Sequence, residues 1–479
     1  MGIIQRKDKK GESAAAMKMF VPSADDFMSR QTVAFPEMEQ FPPSVARQVS
    51  VGILSAAEVR FDFDSDFRCV PTGQIVGAGS YVAACSDGKV FWRGTAFDEL
   101  CFEPVAAQKA DELQGHFCLR SVVIGIGFHW ERREDQFFKG ALKFVVDNDK
   151  LVAINVLHIE DYLYSVISSE MSAMSSLELL KAHAVISRSW LVKPIFEAAY
   201  NRPKQPRQTT SSAGEWIKWY ERDAHALFDV CADDHCQRYQ GVGRAHTPLV
   251  LQAVEATRGE VLVSGGEICD ARFSKSCGGV SERFESCWAD EPHAYLQPVR
   301  DVVGADMPDL TIEANAERWI RSAPESFCNT HDARILSQVL NNYDQETTDF
   351  YRWKVRYTTA ELSDLVRRKS GIDFGDITAL EPVERGASGR LVRLRIVGTR
   401  RTLVVGKELE IRRWLSESHL YSSAFVVDRL PDGFLLTGAG WGHGVGLCQI
   451  GAAVMGAKGY KYDEILAHYF IHSQLKKLW

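Results

Sequence analysis

The chain has 479 residues, enough for two to four domains at about 150 residues each. Apolar residues make up 45% and charged residues 25%, and with 16 Pro and 36 Gly this is globular composition, which excludes disordered, collagen-like and low-complexity classes. The 56 basic against 63 acidic residues leave a net charge of −7, so DNA or RNA meets no global attraction and no nucleic-acid partner is expected. No apolar run approaches the roughly 18 residues of a transmembrane segment, so none is expected either.

Residues 1–46 hold Pro22, Pro36, Pro42 and Pro43 without sustained periodicity and read as a flexible tail. Arg6 to Lys10 resemble the basic start of a secretory leader, but Glu12 and Lys18 interrupt any apolar stretch behind it. No signal peptide is recognised, and by sequence alone the chain reads as cytoplasmic. From Val49 the pattern is that of strands, and residues 47–150 read as a β-rich N-terminal region. Val59, Phe61 and Phe63 alternate with Arg60 and Asp62, the period of a half-buried strand. Asp87-Gly88 and Asn148-Asp149 sit between strand-like runs and predict tight hairpins, while the apolar run Val122–Phe128 suits an inner strand.

Helical patterns begin after Ile159. Ser175 and Glu178, three apart, predict a capping box for a helix carrying Leu177, Leu180, Ala184 and Leu191 on one face and ending at Pro194. Thr358 and Glu361 predict a second box. Ile377–Val383 and Leu391–Val397 flank Gly386-Ala387-Ser388-Gly389 as a hairpin. Leu447, Ile450 and Val454 predict a helix directly after a glycine-rich turn, with Gly459 near its end. The fold class is α+β.

Two stretches carry chemistry. In the first, Glu170 stands between two helical patterns, where a loop carboxylate can face a cleft; taken alone, an ordinary surface Glu is the default reading. In the second, Gly438 to Ala452, alternating glycines let the backbone turn sharply and approach a ligand, while Trp441 and His443 offer a stacking face and a polar group. The spacing is neither G-x-G-x-x-G nor a phosphate-binding P-loop, and a structural glycine turn with a satisfied histidine is the alternative. A third constellation, H-x5-C-x3-H-C, comprises His225, Cys231, His235 and Cys236. Two imidazoles and two thiolates suit tetrahedral zinc, but a Cys231–Cys236 disulfide or buried thiols fit the spacing as well. Cys269, Cys277 and Cys287 read as core thiols. The odd count of 11 cysteines has no disulfide-framework spacing.

Together the first two stretches resemble the SpoIID/LytB family, named for stage II sporulation protein D and an amidase enhancer. The motif Y-L-x-x-V-x-x-E-M, a gap, then E-A-L-K-A-Q-A-V-A-A-R-T-Y is answered by Glu170-Met171, Glu178 to Val185, and Arg188-Ser189-Trp190. G-W-G-H-G-V-G-M-S-Q-Y-G-A is answered by Gly440 to Ala452, with Leu447, Cys448 and Ile450 substituted. Arg272 to Ser281 resembles the S-x-S-G-G-x-T segment with Cys277 in place of Ser, and Arg413 to Phe425 resembles R-x-x-L…L-x-S-x-x-F. Ser172, Ser175 and Ser176 depart from the usual Pro, Trp and Pro.

The resemblance implies a SpoIID-type domain over 151–479, with 289–420 as an inserted β/helical subdomain. It implies a lytic transglycosylase acting on peptidoglycan glycan strands, especially peptide-denuded ones. Such an enzyme needs a single carboxyl of raised pKa, since the sugar's C6 hydroxyl replaces water as nucleophile. Glu170 matches the catalytic Glu; Arg188, Ser276, Gly278, Gly279, Trp441, His443 and Gln449 are the expected substrate contacts. Some members carry a similar His/Cys cluster as zinc, which favours zinc at His225, Cys231, His235 and Cys236, in a structural role because all four ligands come from protein. The competing reading is a non-catalytic wall-binding protein that stimulates a cell-wall amidase. A zinc hydrolase fits less well with a saturated ligand set. A wall substrate places the function in the cell envelope although no leader is recognised, by an unrecognised export route or a mis-set start codon.

Overall fold

The computed structural model describes residues 47–105, 115–125, 131–172, 175–199, 210–212, 214–220, 225–233, 235–243, 247–339 and 349–479. The flexible tail expected over 1–46 and the end of the Val122–Phe128 run lie outside them. The chain opens as two face-to-face sheets. One orders its strands Val230–Cys231, Gln48–Ala56, Lys150–His158, Ala141–Asp147, Glu99–Pro104, Phe67–Cys69 and Ile75–Val76. The other runs Arg132–Lys139, His116–Ile124, Glu58–Phe63, Gly79–Ser86, Lys89–Trp92 and Thr95–Phe97. The alternation read from Val59, Phe61 and Phe63 points these side chains inward, and Phe61 meets Phe102 at 5.7 Å and Phe144 at 5.3 Å across the sandwich. Both expected hairpins form. Asp87 and Gly88 (φ 51° and 71°) and Asn148 and Asp149 (47° and 58°) adopt the paired left-handed conformations that match strand twist.

Lys150–His158 leads straight into the helix Ile159–Glu170, followed by the long helix Leu177–Ala199. Two local expectations fail here. The Ser175/Glu178 box does not form: Ser175 Oγ donates to Gln338 O at 2.7 Å, and the Glu178 carboxylate accepts from Tyr462 N–H at 2.9 Å. Ser176 Oγ instead accepts from Leu179 N–H at 3.3 Å. Nor does Pro194 end the helix, which continues to Ala199. Proline deletes one N–H and crowds the preceding turn; the packing of this largely buried helix outweighs that loss.

The remainder is a mixed region. Thr210–Ser212, Glu215–Ile217, Thr402–Gly406, Leu391–Gly398 and Ile377–Arg385 form a sheet covered by the helices Thr359–Ser370 and Glu408–Trp414. Here the Thr358/Glu361 capping box is present, and the hairpin around Gly386–Gly389 forms as expected. Its core joins Trp353, Leu362, Leu394, Trp414 and Phe434. The helices Gln449–Ala457 and Tyr462–Tyr469 and the strand Gln474–Lys477 close the chain. Among the described residues strand outweighs helix, 37% to 25%, so the fold is α+β and β-rich. No helix among the described residues is long and apolar enough to cross a membrane.

Candidate functional site

Glu170 is the last residue of the Ile159–Glu170 helix. His158 begins that helix, its ring accepting the Glu160 N–H at 3.1 Å, and the extended Met171 ends it. The Glu170 carboxyl is half-buried, and its Oε1 accepts the backbone N–H of Arg238 at 3.1 Å. The segment that supplies this donor is fastened on both sides. Gln240 N–H donates to Ser165 Oγ at 3.2 Å, Tyr162 OH donates to Gln237 Oε1 at 3.3 Å, and Tyr239 stacks on Tyr162 at 5.2 Å. Tyr239 OH also donates to Asn155 Oδ1 at 2.6 Å, tying the segment to the N-terminal sandwich.

Just before that segment the structure gathers the His/Cys constellation. Cys236 Sγ lies 3.4 Å from His225 Nε2 and 3.5 Å from His235 Nδ1, and Cys231 Sγ lies 4.0 Å from His235 Nδ1. One donor atom of each residue falls within 4.8 Å of the other three. Zinc–sulfur and zinc–nitrogen bonds of about 2.3 and 2.0–2.1 Å imply tetrahedral edges of roughly 3.5–3.8 Å, so the set fits a single ion. Contact with Cys236 pulls the Cys231 thiol far below its usual range, with burial opposing and His235 assisting. Cys231 and Cys236 are free thiols, so the disulfide alternative is not realised. Cys231 is also anchored, because Val230–Cys231 pairs in parallel with Val51 and Gly52.

A hydrogen bond joins the two motif stretches. Gln449 Nε2 lies 3.1 Å from His183 Nε2, while His183 Nδ1 lies 3.2 Å from Ser187 Oγ. His183 is wholly buried against Phe273, and burial, then Lys275, pulls its pKa down to about 3. Gln449, 2% exposed, thus joins two elements and is committed to an internal partner.

The other expected substrate contacts divide by exposure. Trp441 and His443 are half-buried and reachable. The Trp441 ring packs 4.3 Å from Tyr421 and 4.7 Å from Phe350, and its backbone exchanges hydrogen bonds of 2.8 and 3.0 Å with Ser276. His443 Nδ1 accepts from Val445 N–H at 3.0 Å, with Trp288 edge-on at 5.1 Å. Burial, followed by Arg272, Arg390 and Arg412, holds its pKa well below the ordinary value, so the ring is neutral. Arg188, in contrast, has 0% exposure and forms a forked pair with Glu160 at 3.1 and 2.7 Å, which leaves no surface for a glycan. Ser276 is equally enclosed. Gly278 and Gly279 (φ 79° and 103°) turn the chain beneath the Trp441 loop, where a Cβ on Gly278 would come within 2.9 Å of Gly440 N.

Two residues that organise this surface escape sequence reading. Arg390 is fully buried and donates to the carbonyls of Cys277 at 3.0 Å and Gly442 at 2.9 Å, bracing both motif turns. A Cβ at Gly444 would stand 2.5 Å from its guanidinium carbon, so glycine is required there. Glu282, also buried, accepts from Ala387 and Ser388 N–H, each at 3.0 Å, and seats the hairpin that carries Arg390. Neither stands in a local pattern that marks it. The cysteines regroup as well: Cys269 and Cys287 are buried thiols as expected, but Cys277 gathers with Asp301, Cys328 and Cys448.

Residues 147–263, which include Glu170 and the His/Cys cluster, match the family described as Stage II sporulation protein. Residues 282–446, which include Arg390, Trp441 and His443, match a domain of unknown function, DUF8618. The chain is 26% identical over 333 residues to an uncharacterized protein of Brachyspira hyodysenteriae, covering 70% of each. It is 23% identical over 327 residues to stage II sporulation protein D of Bacillus subtilis, covering 68% of this chain and 76% of that one. For the stage II sporulation protein D of Bacillus amyloliquefaciens the identity is 21% over 319 residues, covering 66% and 74%. These matches show a SpoIID domain over residues 147–263 and a chain similar along about two thirds of its length to stage II sporulation protein D.

Proposed function

We propose that the protein is a peptidoglycan lytic transglycosylase that cleaves peptide-denuded glycan strands, with Glu170 as general acid and then general base. The SpoIID relationship supports a cell-wall-related function. The observation that carries the finer reading is the seat of Glu170: a motif carboxyl at a helix end, one oxygen held by the Arg238 N–H. A carboxyl oriented in this way protonates the glycosidic oxygen as the bond to the anomeric carbon breaks. It then takes the proton of the C6 hydroxyl as O6 closes on the same carbon. No water is consumed, and the products are a free hydroxyl on one strand and a 1,6-anhydro ring on the other. Trp441 and neutral His443 suit the faces and hydroxyls of neighbouring sugars.

His225, Cys231, His235 and Cys236 suit zinc, which would cross-link the loop with no coordination position left for substrate. The chain's own contribution is to set the Arg238 amide two residues beyond Cys236, against Glu170. The deciding experiment incubates purified protein with denuded glycan and reads the products by mass spectrometry. Anhydro-muramic ends are expected. Reducing ends would indicate hydrolysis, and binding without cleavage, together with stimulation of an amidase, would favour the enhancer reading. A wall substrate also requires an envelope location. Cell fractionation should find the protein with the wall or membrane fraction, and a wholly cytosolic pool would count against that substrate.

A further inference from the structure

Cys277, Asp301, Cys328 and Cys448 come from four separate parts of the chain and meet in the interior, at 2%, 0%, 1% and 0% exposure. One donor atom of each lies within 4.8 Å of the other three. We propose that these four residues form a second zinc site, of three thiolates and one carboxylate, independent of the His225 cluster and of the transglycosylase reading.

The geometry suits an ion better than a core of neutral thiols. Cys277 Sγ and Cys328 Sγ are 3.7 Å apart, close to the roughly 3.8 Å edge of a zinc–thiolate tetrahedron and far beyond a disulfide bond of about 2.05 Å. Backbone amides point at sulfur. Gly279 N–H donates to Cys277 Sγ at 3.4 Å and Cys277 N–H donates to Cys448 Sγ at 3.3 Å, a pattern that stabilises thiolate over thiol. The left-handed Gly278 and Gly279 make that return of the chain possible. Cys448 stands at the N-terminus of the Gln449–Ala457 helix, a second support for a thiolate.

Asp301 completes the set. Its oxygens accept from Tyr469 OH at 2.6 Å and from Cys328 N–H at 2.7 Å, both uncharged donors. A buried carboxylate held in this way is oriented as a metal ligand is oriented by its outer partners, and each oxygen keeps a lone pair for an ion. Cys277 and Cys448 both stand where the motifs carry serine, so two ligands replace two hydroxyls in the same chain. Four protein ligands make the site structural. It would pin the turn at 276–279 to the turn at 440–448, and both to the segment carrying Asp301 and Cys328, directly beneath Trp441.

The test is elemental analysis of the full-length chain purified without chelator. Wild type should hold about two zinc ions per chain, and Cys231→Ser and Cys328→Ser should each lose one, with none left in the double variant. One zinc in wild type, absent from Cys231→Ser, would overturn the second site, and iron in place of zinc would overturn the assigned metal. Should Cys328→Ser fail to fold, cadmium exchange into wild type and Cys231→Ser decides by cadmium-113 NMR. Wild type should give two resonances, and Cys231→Ser should retain the one shifted toward sulfur-rich coordination. A single resonance that vanishes in Cys231→Ser would refute the site. So would two thiols missing from the 11 on alkylation of the denatured, unreduced chain, because a Cys277–Cys328 disulfide would then occupy it.

Discussion

Glu170 and His183 illustrate two ways in which one residue's setting becomes measurable. In Glu170→Gln the side-chain oxygen still accepts the Arg238 N–H, so the group keeps its place while both proton transfers are lost. Turnover to anhydro products should fall by about 10² to 10⁴, with glycan affinity little changed; full activity in this variant would remove Glu170 from the chemistry. His183 acts on stability instead. Burial, then Lys275, lowers its folded pKa to about 3, while the unfolded chain takes up the same proton near the ordinary value of 6.5. The stability is therefore present in full above pH 6.5 and drains away as pH falls toward 3, by up to about 1.4 kcal/mol per pH unit. The motif carries Gln at this position, and an amide can still reach Ser187 and Gln449. His183→Gln should match wild type in urea midpoint near pH 7.5 and lose less stability between pH 6 and 4. The slope that remains belongs to groups such as His443, whose pKa is also depressed. An unchanged slope would acquit His183.

At the level of elements, what the sequence reveals depends on how local the cause is. Hairpins at Asp87-Gly88 and Asn148-Asp149 and the Thr358 capping box are settled within a few residues, and they appear as read. The Ser175 box fails because Gln338, more than 160 positions away, claims the same hydroxyl. Arg188 shows the same limit: its motif position suggests a substrate contact, while its partner Glu160 is set by how two helices pack. Glu160 also accepts from Gly259 N–H at 3.0 Å and from Trp479 Nε1 at 3.1 Å, so one carboxylate unites both helices, the turn before Glu260–Ser264 and the C-terminus. Arg188→Leu strands that charge in the interior and should cost about 3–5 kcal/mol. Chemical denaturation measures this directly, and the folded fraction should bind glycan as wild type does. Wild-type stability with lost binding would instead restore Arg188 to the substrate surface.

Across the whole molecule, the candidate site depends on contacts that no short window contains. The His225 cluster is legible because its four ligands fall within 12 consecutive residues. Arg390, Glu282, Asp301 and Cys328 are not, because the partners that tie each of them to the site lie far along the chain. This bears on whether residues 289–420 can be removed as a module. The strand Arg352–Thr358 lies inside that span, yet it pairs along its length with Gly433–Ala439, which runs directly into Gly440 and Trp441. Arg390 braces both motif turns from within the span, and Glu282 holds the Gly386–Gly389 turn from outside it. Excising the span would bare a strand edge, leave the carbonyls of Cys277 and Gly442 without their donor, and take from Glu282 Oε2 the Ser388 donors it accepts from. Each stranded polar group costs about 1–3 kcal/mol, and three of them approach the whole stability of a typical domain. Replacing 289–420 by a short Gly/Ser linker should therefore give a chain that is insoluble or melts without cooperativity, whereas Arg390→Met alone should only lower the melting temperature. A soluble deletion variant with a wild-type melting transition would show the span to be a separable insertion, with the Trp441 turn standing without it.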